Sequence, residues 1–169
     1  PTNRSKISTF KILFSGNLSK RKQAHLIRPL AEKLGRGFEV IYTTGLSSSG
    51  QKSSEELRSG ARVTSIGRIP YQEMPLIYQE VDALFMPSVR EGFGLSIAEA
   101  MSCGLPIVAN NCSAIPELIE HKKGGFLCQI GNLHEYVDAF RLLATNLGSR
   151  LEMGEFNRQI VEQKFTQNE

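Results

Sequence analysis

Residues 82–109 read DALFMPSVREGFGLSIAEAMSCGLPIVA, and this stretch decides the fold. After Asp82, apolar residues run together to Met86 and stop at Pro87 and Ser88, which predicts a buried strand at 82–86 followed by a turn. Residues 95–102 have the pattern of a helix that ends before Gly104, and a second buried strand follows at 106–109. A strand, a helix and a strand in this order predict two parallel strands joined by a right-handed crossover.

The same alternation extends through the rest of the chain. We predict six strands, at 10–14, 38–42, 62–66, 82–86, 106–109 and 125–128. We predict helices at 22–34, 71–78, 95–102, 115–120, 133–145 and 149–165, and a loop or short helix in the Ser-rich stretch 45–60. This pattern indicates an α/β protein with a Rossmann-like, doubly wound, six-stranded parallel sheet, whose commonest strand order is 3-2-1-4-5-6.

The composition is that of an ordinary globular protein. Of the 169 residues, 40% are hydrophobic and 22% are charged, which excludes a disordered chain, and a net charge of +3 gives no reason to expect nucleic acid as a partner. No apolar run is long enough to span a bilayer, and we expect no signal peptide. Three cysteines without CxxC spacing, three scattered histidines and two aspartates predict no metal site.

The first nine residues are mostly polar, and a buried strand follows at once. We therefore expect a linker at 1–9, one domain at 10–165 and a short tail at 166–169. The chain has the character of a piece cut from a longer protein, and its predicted domain is large enough to bury a core of its own.

In the predicted strand order, the first and fourth strands are neighbours at the point where the winding reverses. Ligands of such sheets bind there, outside the carboxyl ends of the strands. The loops that leave these two strands are 16–22 and 87–94. The sequence therefore predicts that the basic run at 20–22 faces the REGFG run at 90–94 across a crevice.

Two glutamates accompany the glycines of this second loop. The helix N-terminus after Gly94 suits a phosphate, but Glu91 lies just before that helix and Glu99 about one turn inside it. A carboxylate only accepts hydrogen bonds, so its natural partners are the hydroxyls of a sugar. A nucleotide-sugar fits, with one glutamate on each sugar, the diphosphate between them, and Lys22 as the cation opposite.

Three other interpretations of the same residues need to be weighed. The first is open on spacing alone, and the other two lack a residue or motif that they require. Glu91 and Glu99 could be an acid at a helix start and a solvated surface residue. A dinucleotide fingerprint would need an acid at the end of the next strand, where Asn110 and Asn111 stand instead. A phosphate loop of the GxxxxGK[ST] type does not occur in the sequence.

Residues 85–127, FMPSVREGFGLSIAEAMSCGLPIVANNCSAIPELIEHKKGGFL, closely resemble the donor-binding half of GT-B glycosyltransferases, in particular the retaining family 4. The shared pattern is P-S-x-x-E-G-F-G-L-x-x-x-E-A-M-x-x-G-x-P-[IV]-[IV]-A, followed by P-E and G-[FY]-L, and the resemblance extends from about residue 10 to 165. It implies that the sheet is one half of a GT-B fold.

The resemblance also implies a role for particular residues. Glu91 accepts hydrogen bonds from the donor sugar, Glu99 holds the nucleotide ribose, and main chain near Arg68 and Ile69 frames the base. The sugar and the diphosphate are held by main-chain N–H groups and by loop residues, namely those of Phe93, Gly94 and Leu95, with Gly16, Asn17 and Lys22. Glu91 and Lys22 are the candidate catalytic residues.

Three departures from the family pattern stand out. Asn17 replaces the usual arginine, which removes one cation from the diphosphate, so Arg21 or Arg90 would have to compensate. Gln23 replaces the glycine that usually follows the lysine, and Ser113-Ala114 replaces a common Gly-Gly.

The expected activity is transfer of a sugar from a nucleoside diphosphate to an acceptor hydroxyl, with retention of configuration. No D-x-D motif occurs in the sequence, so we expect no metal or other cofactor. The resemblance implies an N-terminal domain, absent here, that holds a glycan or lipid-linked acceptor, and a cytoplasmic protein that can associate peripherally with the inner face of the membrane. This chain alone would not transfer sugar. A non-catalytic nucleotide-binding module is the alternative.

Overall fold

A computed structural model describes residues 8–45, 52–90 and 95–166, and seven strands in these ranges form one sheet. The strands are β1 (Phe10–Phe14), β2 (Phe38–Thr43), β3 (Ser53–Glu56), β4 (Arg62–Gly67), β5 (Ala83–Met86), β6 (Ile107–Asn110) and β7 (Gly125–Cys128). Their order across the sheet is β3-β4-β2-β1-β5-β6-β7. The predicted linker and tail lie mostly outside the described residues.

The predicted order of the six parallel strands is confirmed, since β4-β2-β1-β5-β6-β7 is the expected 3-2-1-4-5-6 arrangement. The prediction of six strands was wrong by one. β3 pairs antiparallel with β4 at the edge of the sheet, within the stretch where we predict a loop or short helix. Every residue of β3 is exposed, so neither face of the strand leaves an apolar signal in the sequence.

The helices are α1 (Ile27–Leu34), α2 (Met74–Glu80), α3 (Leu95–Ser102), α4 (Ile115–Leu118), α5 (Leu133–Thr145) and α6 (Leu147–Thr166). One-turn 3-10 helices precede α1 and α2, at Ala24–Leu26 and Tyr71–Glu73. The first helical segment starts later than residue 22, because Gln23 has a left-handed backbone with φ of 60°. The last helix, α6, starts before residue 149, because the Asn146 side chain caps its N-terminus by accepting a hydrogen bond from the Ser149 N–H.

Apolar side chains fill both faces of the sheet. Phe14 and Phe85 point to the face covered by α1 and α5, where they pack with Leu30 and Phe140. The alternate residues Leu13 and Leu84 point to the other face, where α2 and α3 cover them. Burial on both faces explains why the central strands are almost wholly apolar, and it leaves the carboxyl edge of the sheet as the place for a site.

Candidate functional site

A cleft of about 440 Å³ opens at the carboxyl edge of the sheet, beside the point where the winding reverses between β1 and β5. Its walls come from the ends of β1, β2 and β4, from the start of α2 and from the first turns of α3. They consist of Ser15, Gly16, Thr43, Gly45, Arg68, Ile69, Pro70, Tyr71, Met74, Tyr78, Leu95, Ser96 and Glu99. The predicted position of the site at this edge therefore coincides with a cleft.

The loop after β1 is held in place by one threonine. The Thr43 hydroxyl accepts a hydrogen bond from the Gly16 N–H at 2.9 Å and donates to the Gly16 carbonyl oxygen at 3.1 Å. Gly16 has φ of 131°, and a Cβ added to it would lie 3.3 Å from Cε and 3.8 Å from Nζ of Lys22. The absence of a side chain at Gly16 thus lets the Lys22 side chain lie against the loop.

The two loops that we expect to meet are in contact. The Val89 N–H donates to the carbonyl oxygen of Arg21 over 3.1 Å, which joins the loop after β5 to the basic run after β1. Arg21 and Arg90 are exposed, and Asn17 is an exposed residue whose Cβ faces Gly45.

Glu99 lies on α3, and its carboxylate faces α2. The Tyr78 hydroxyl donates to Glu99 Oε2 over 3.1 Å. Burial, the charge of Glu99 and this hydrogen bond together raise the pKa of Tyr78. A hydrogen bond to Glu99 and the charge of its carboxylate also raise the pKa of Tyr71, which lies at the mouth of the cleft. Glu99 therefore faces two phenols, that of Tyr78 inside α2 and that of Tyr71 in the turn before it.

Of the predicted site residues, the structure brings Gly16, Ile69, Leu95 and Glu99 together in the walls of one cleft. Lys22 lies against Gly16 at the edge of that cleft, and Asn17 lies beside Gly45 of the cleft wall but is not itself part of the lining. The remaining predicted residues, Glu91, Phe93 and Gly94, lie outside the described residues.

The sequence pattern did not identify Thr43, Tyr71 or Tyr78. Thr43 ends a strand, where a threonine is common, and Tyr78 looks like one more residue of an apolar helix face. Only Tyr71 leaves a signal, because it directly follows the Arg68–Pro70 main chain that we expect to frame a base.

A second polar cluster lies under the loop after β5. Asn110 is fully buried at the end of β6, and its Nδ2 donates to the carbonyl oxygens of Pro87 and Ser88 at 2.8 and 3.2 Å. Its Oδ1 accepts from the Tyr136 hydroxyl, which in turn accepts from the Gly131 N–H at 3.0 Å. The amide thus fixes the residues that lead into Glu91.

Within residues 8–45, 52–90 and 95–166, no three His, Cys, Asp or Glu side chains come together as ligands for a metal ion. In the same part of the chain, no helix has the length and apolar character needed to cross a bilayer.

A model of the family described as glycosyl transferases group 1 matches residues 3–160. The D-inositol 3-phosphate glycosyltransferase of Corynebacterium jeikeium is 30% identical over 155 residues, which are 85% of this chain and 37% of that protein. The chain spans well under half the length of the curated relatives it matches.

Solved structures show the same fold. HepE of Anabaena in complex with UDP matches 97% of this chain and 50% of its own, with 23% identity and a TM-score of 0.81, and HepE has also been solved with UDP-glucose. The C-terminal domain of LpcC, a glycosyl transferase group 1 family protein from Francisella tularensis, matches 95% of this chain and 88% of its own, with 20% identity and a TM-score of 0.73. The sheet is therefore one Rossmann-like half of a GT-B fold.

Proposed function

The chain belongs to the group 1 glycosyl transferases, and from this premise we propose that its cleft binds a nucleoside-diphosphate sugar. The complete protein then transfers the sugar to an acceptor hydroxyl with retention of configuration. The observation that carries this proposal is the cleft itself, in which Glu99, Gly16 and the start of α3 meet at the switch point of the sheet. The complexes of HepE with UDP and UDP-glucose support it.

The nucleoside would occupy the side of the cleft nearest α2. Glu99 has carboxylate oxygens that accept hydrogen bonds from the ribose hydroxyls. The main chain at Arg68 and Ile69 lines the same cleft and offers N–H and C=O groups to a base. The cleft volume of about 440 Å³ falls within the roughly 300–1,000 Å³ usual for ligand pockets.

The diphosphate would lie over the first turn of α3. A helix of this length presents free N–H groups and a partial positive charge at its N-terminus. Because Gly16 has no side chain, the loop after β1 can approach the diphosphate closely, and the Lys22 ammonium lies beside that glycine. These groups would stabilise the negative charge that develops on the leaving diphosphate, as preorganised electrostatics.

The donor sugar would extend towards the loop of residues 91–94. We propose that Glu91 accepts hydrogen bonds from its hydroxyls and orients it for attack, and that main-chain N–H groups of Phe93 and Gly94 hold it beside the diphosphate. The sequence contains no D-x-D motif, so we propose that no divalent metal takes part in binding the leaving group.

The acceptor would be held mainly by a second domain of the complete protein, N-terminal to this one. A glycan or lipid-linked acceptor suits a cytoplasmic enzyme that associates peripherally with the membrane. The solved C-terminal domain of LpcC, which has nearly the length of this chain, supports the expectation that this half folds by itself. We propose that it binds the donor without transferring the sugar.

Titration calorimetry with UDP, GDP and ADP, and then with sugars of the nucleotide that binds best, tests the proposal. Glu99→Ala should weaken binding of the free nucleotide by about 1–3 kcal/mol, the usual scale for a hydrogen bond to a charged group. Glu80→Ala, which removes an exposed carboxylate from the end of α2, is the control and should leave binding unchanged. Failure of all three nucleotides to bind would contradict the proposed function.

A second variant distinguishes the proposed role of Glu91 at the sugar from that of Glu99 at the ribose. Glu91→Ala should leave the affinity for the free nucleotide nearly unchanged and weaken that for the matching nucleotide-sugar by a similar 1–3 kcal/mol, on the order expected for a charged hydrogen bond. An equal loss for both ligands would show that Glu91 does not contact the sugar.

A further inference from the structure

The loop after β5 leaves the ladder of the sheet while its main chain is still inside the protein. The last residue pair between β5 and β6 joins Met86 to Ala109. Beyond that pair, Pro87 and Ser88 are both buried, and Glu91 follows Ser88 by three residues. A buried carbonyl oxygen needs a hydrogen-bond partner, so the two carbonyls beyond the ladder must be paired in another way.

The side chain of Asn110 supplies both partners. Its Nδ2 donates to the carbonyl oxygen of Pro87 at 2.8 Å and to that of Ser88 at 3.2 Å. The main chain of Asn110 lies in register with Cys128 of β7, so the residue belongs to the sheet by its backbone and to the loop by its side chain. The amide therefore continues the hydrogen bonding of the sheet past the end of β5.

A buried phenol determines which way round this amide lies. The Tyr136 hydroxyl accepts from the Gly131 N–H at 3.0 Å and donates its own proton to Oδ1 of Asn110. The phenol thus needs an acceptor and the loop carbonyls need donors, and an amide in this one orientation provides both. The Tyr136 ring is fully buried and packs against Phe85 with 5.1 Å between the ring centroids, which fixes the hydroxyl in place.

The nucleotide side of the cleft is held by different contacts. α3 packs into the core on the other face of the sheet through the buried side chains of Ile97, Ala100 and Met101. The carboxylate of Glu99 accepts from the Tyr78 hydroxyl at 3.1 Å. Loss of the amide link should therefore disturb the loop after β5 much more than it disturbs α3 or Glu99.

We propose that Asn110 and Tyr136 are positioning residues for the donor sugar, because together they fix the loop from which Glu91 follows. The inference rests on the proposed function, since it takes Glu91 as the residue that binds the sugar. It predicts that two residues behind the loop affect the affinity for a nucleotide-sugar and hardly affect that for the free nucleotide.

Calorimetry should measure the dissociation constants of whichever of UDP, GDP and ADP binds best and of the sugar of that nucleotide that binds best. Tyr136→Phe keeps the ring and removes the hydroxyl. It should raise the dissociation constant of the nucleotide-sugar about three- to tenfold and that of the free nucleotide less than about twofold. Asn110→Leu, which removes the whole link, should raise the first by about tenfold or more.

Two controls separate positioning from folding. Each variant is measured at a temperature at which circular dichroism shows it to be folded, and if Asn110→Leu does not fold, Tyr136→Phe decides alone. Tyr42→Phe removes a phenol hydroxyl from β2, which is separated from β6 by two strands, and should change neither dissociation constant. A purely structural role of Tyr136 would leave the ratio of the two constants unchanged in the folded variant.

A double-mutant cycle tests whether the effect passes through Glu91. In a chain that already carries Glu91→Ala, Tyr136→Phe should weaken the nucleotide-sugar little further. A selective loss that persists at full size in that chain would overturn the inference, as would equal losses of both ligands from Tyr136→Phe. A selective loss from Asn110→Leu with none from Tyr136→Phe would overturn the role of Tyr136.

The outcomes also distinguish this inference from the proposed function. If Glu91→Ala weakens the nucleotide-sugar selectively while Tyr136→Phe and Asn110→Leu bind both ligands normally, the proposed function stands and this inference fails. If Glu91→Ala leaves the affinity for the nucleotide-sugar unchanged, the sugar role of Glu91 and this inference fail together while the nucleotide site stands. If none of the three nucleotides binds, all of these proposals are overturned.

Discussion

The side-chain amide of Asn110 donates to the main-chain carbonyl oxygen of Pro87 over 2.8 Å, and so ties the end of β6 to the loop that leaves β5. Asn110→Leu keeps the branched shape of the side chain but leaves the carbonyl oxygens of Pro87 and Ser88 and the Tyr136 hydroxyl without this partner. Each buried group left unpaired costs roughly 1–3 kcal/mol, so we expect urea unfolding to show a loss of about 2–4 kcal/mol.

The neighbouring residue provides the control for this prediction. Asn111 is exposed, so Asn111→Leu should change the free energy of unfolding by no more than about 0.5 kcal/mol. Similar losses from both variants would mean that the buried amide is not a significant link.

Asn110 also shows what could be predicted from the sequence and what could not. The strand order followed from the alternation of apolar strands and helices, and the place of the cleft followed from that order. The partners of Asn110 are 22 and 23 residues away in the chain, and those of Tyr78 on α3 are equally remote, so neither leaves a local pattern. The edge strand β3 was missed because all its residues are exposed.

Gln23 keeps a backbone conformation that suits glycine. It has φ of 60° and ψ of 37°, which places it in the left-handed region. Left-handed backbone costs a residue with a Cβ about 1 kcal/mol. We therefore expect Gln23→Gly to leave the free energy of unfolding unchanged or to raise it by up to about 1 kcal/mol. Gln159→Gly, on the exposed side of α6, should lower it by about 1 kcal/mol; equal losses would show that Gln23 is not strained.

Two glycines of α6 should respond to alanine in opposite directions. A Cβ on Gly154 would lie 2.0 Å from the carbonyl oxygen of Gly104, whereas a Cβ on Gly148 would meet only Asn146 Oδ1 at 3.6 Å. Thermal and urea unfolding should show that Gly154→Ala costs about 1–3 kcal/mol or more through overpacking. Gly148→Ala should be neutral or stabilising by up to about 1 kcal/mol. A stabilising Gly154→Ala would mean that α6 can shift away from Gly104.

The folded chain should lose stability in alkali. Burial raises the pKa of the Cys128 thiol from 9.0 to about 12 and that of Tyr136 from 10.0 to about 12. Between these values the folded state binds more protons than the unfolded state, so the free energy of unfolding falls as the pH rises. The stabilisation is complete below about pH 9 and is lost towards pH 12.

Urea unfolding at a series of pH values checks this slope, and Cys128→Ala isolates one of its sources. Removing the thiol should reduce the fall by up to about 1.4 kcal/mol per pH unit in this range, the value for one proton. An unchanged slope in the variant would show that Cys128 ionises as readily in the folded as in the unfolded chain.

Lys22 should contribute more to the binding of a nucleoside diphosphate than to that of a monophosphate, and neither should need a divalent metal to bind. Its side chain lies against Gly16 beside the cleft, where a cation attracts each added phosphate charge. Lys22→Met keeps the aliphatic stem, and calorimetry should show about tenfold weaker binding of the diphosphate, on the order of a charge-assisted hydrogen bond, with a smaller loss for the monophosphate. Lys20→Met, at an exposed position of the same loop, should have little effect.

The affinity of the unmutated chain should be the same in EDTA and in Mg²⁺, because the sequence offers no D-x-D pair to hold a metal against the diphosphate. Binding that appears only with added metal, or equal losses from both lysine variants, would assign the leaving-group charge to something other than Lys22.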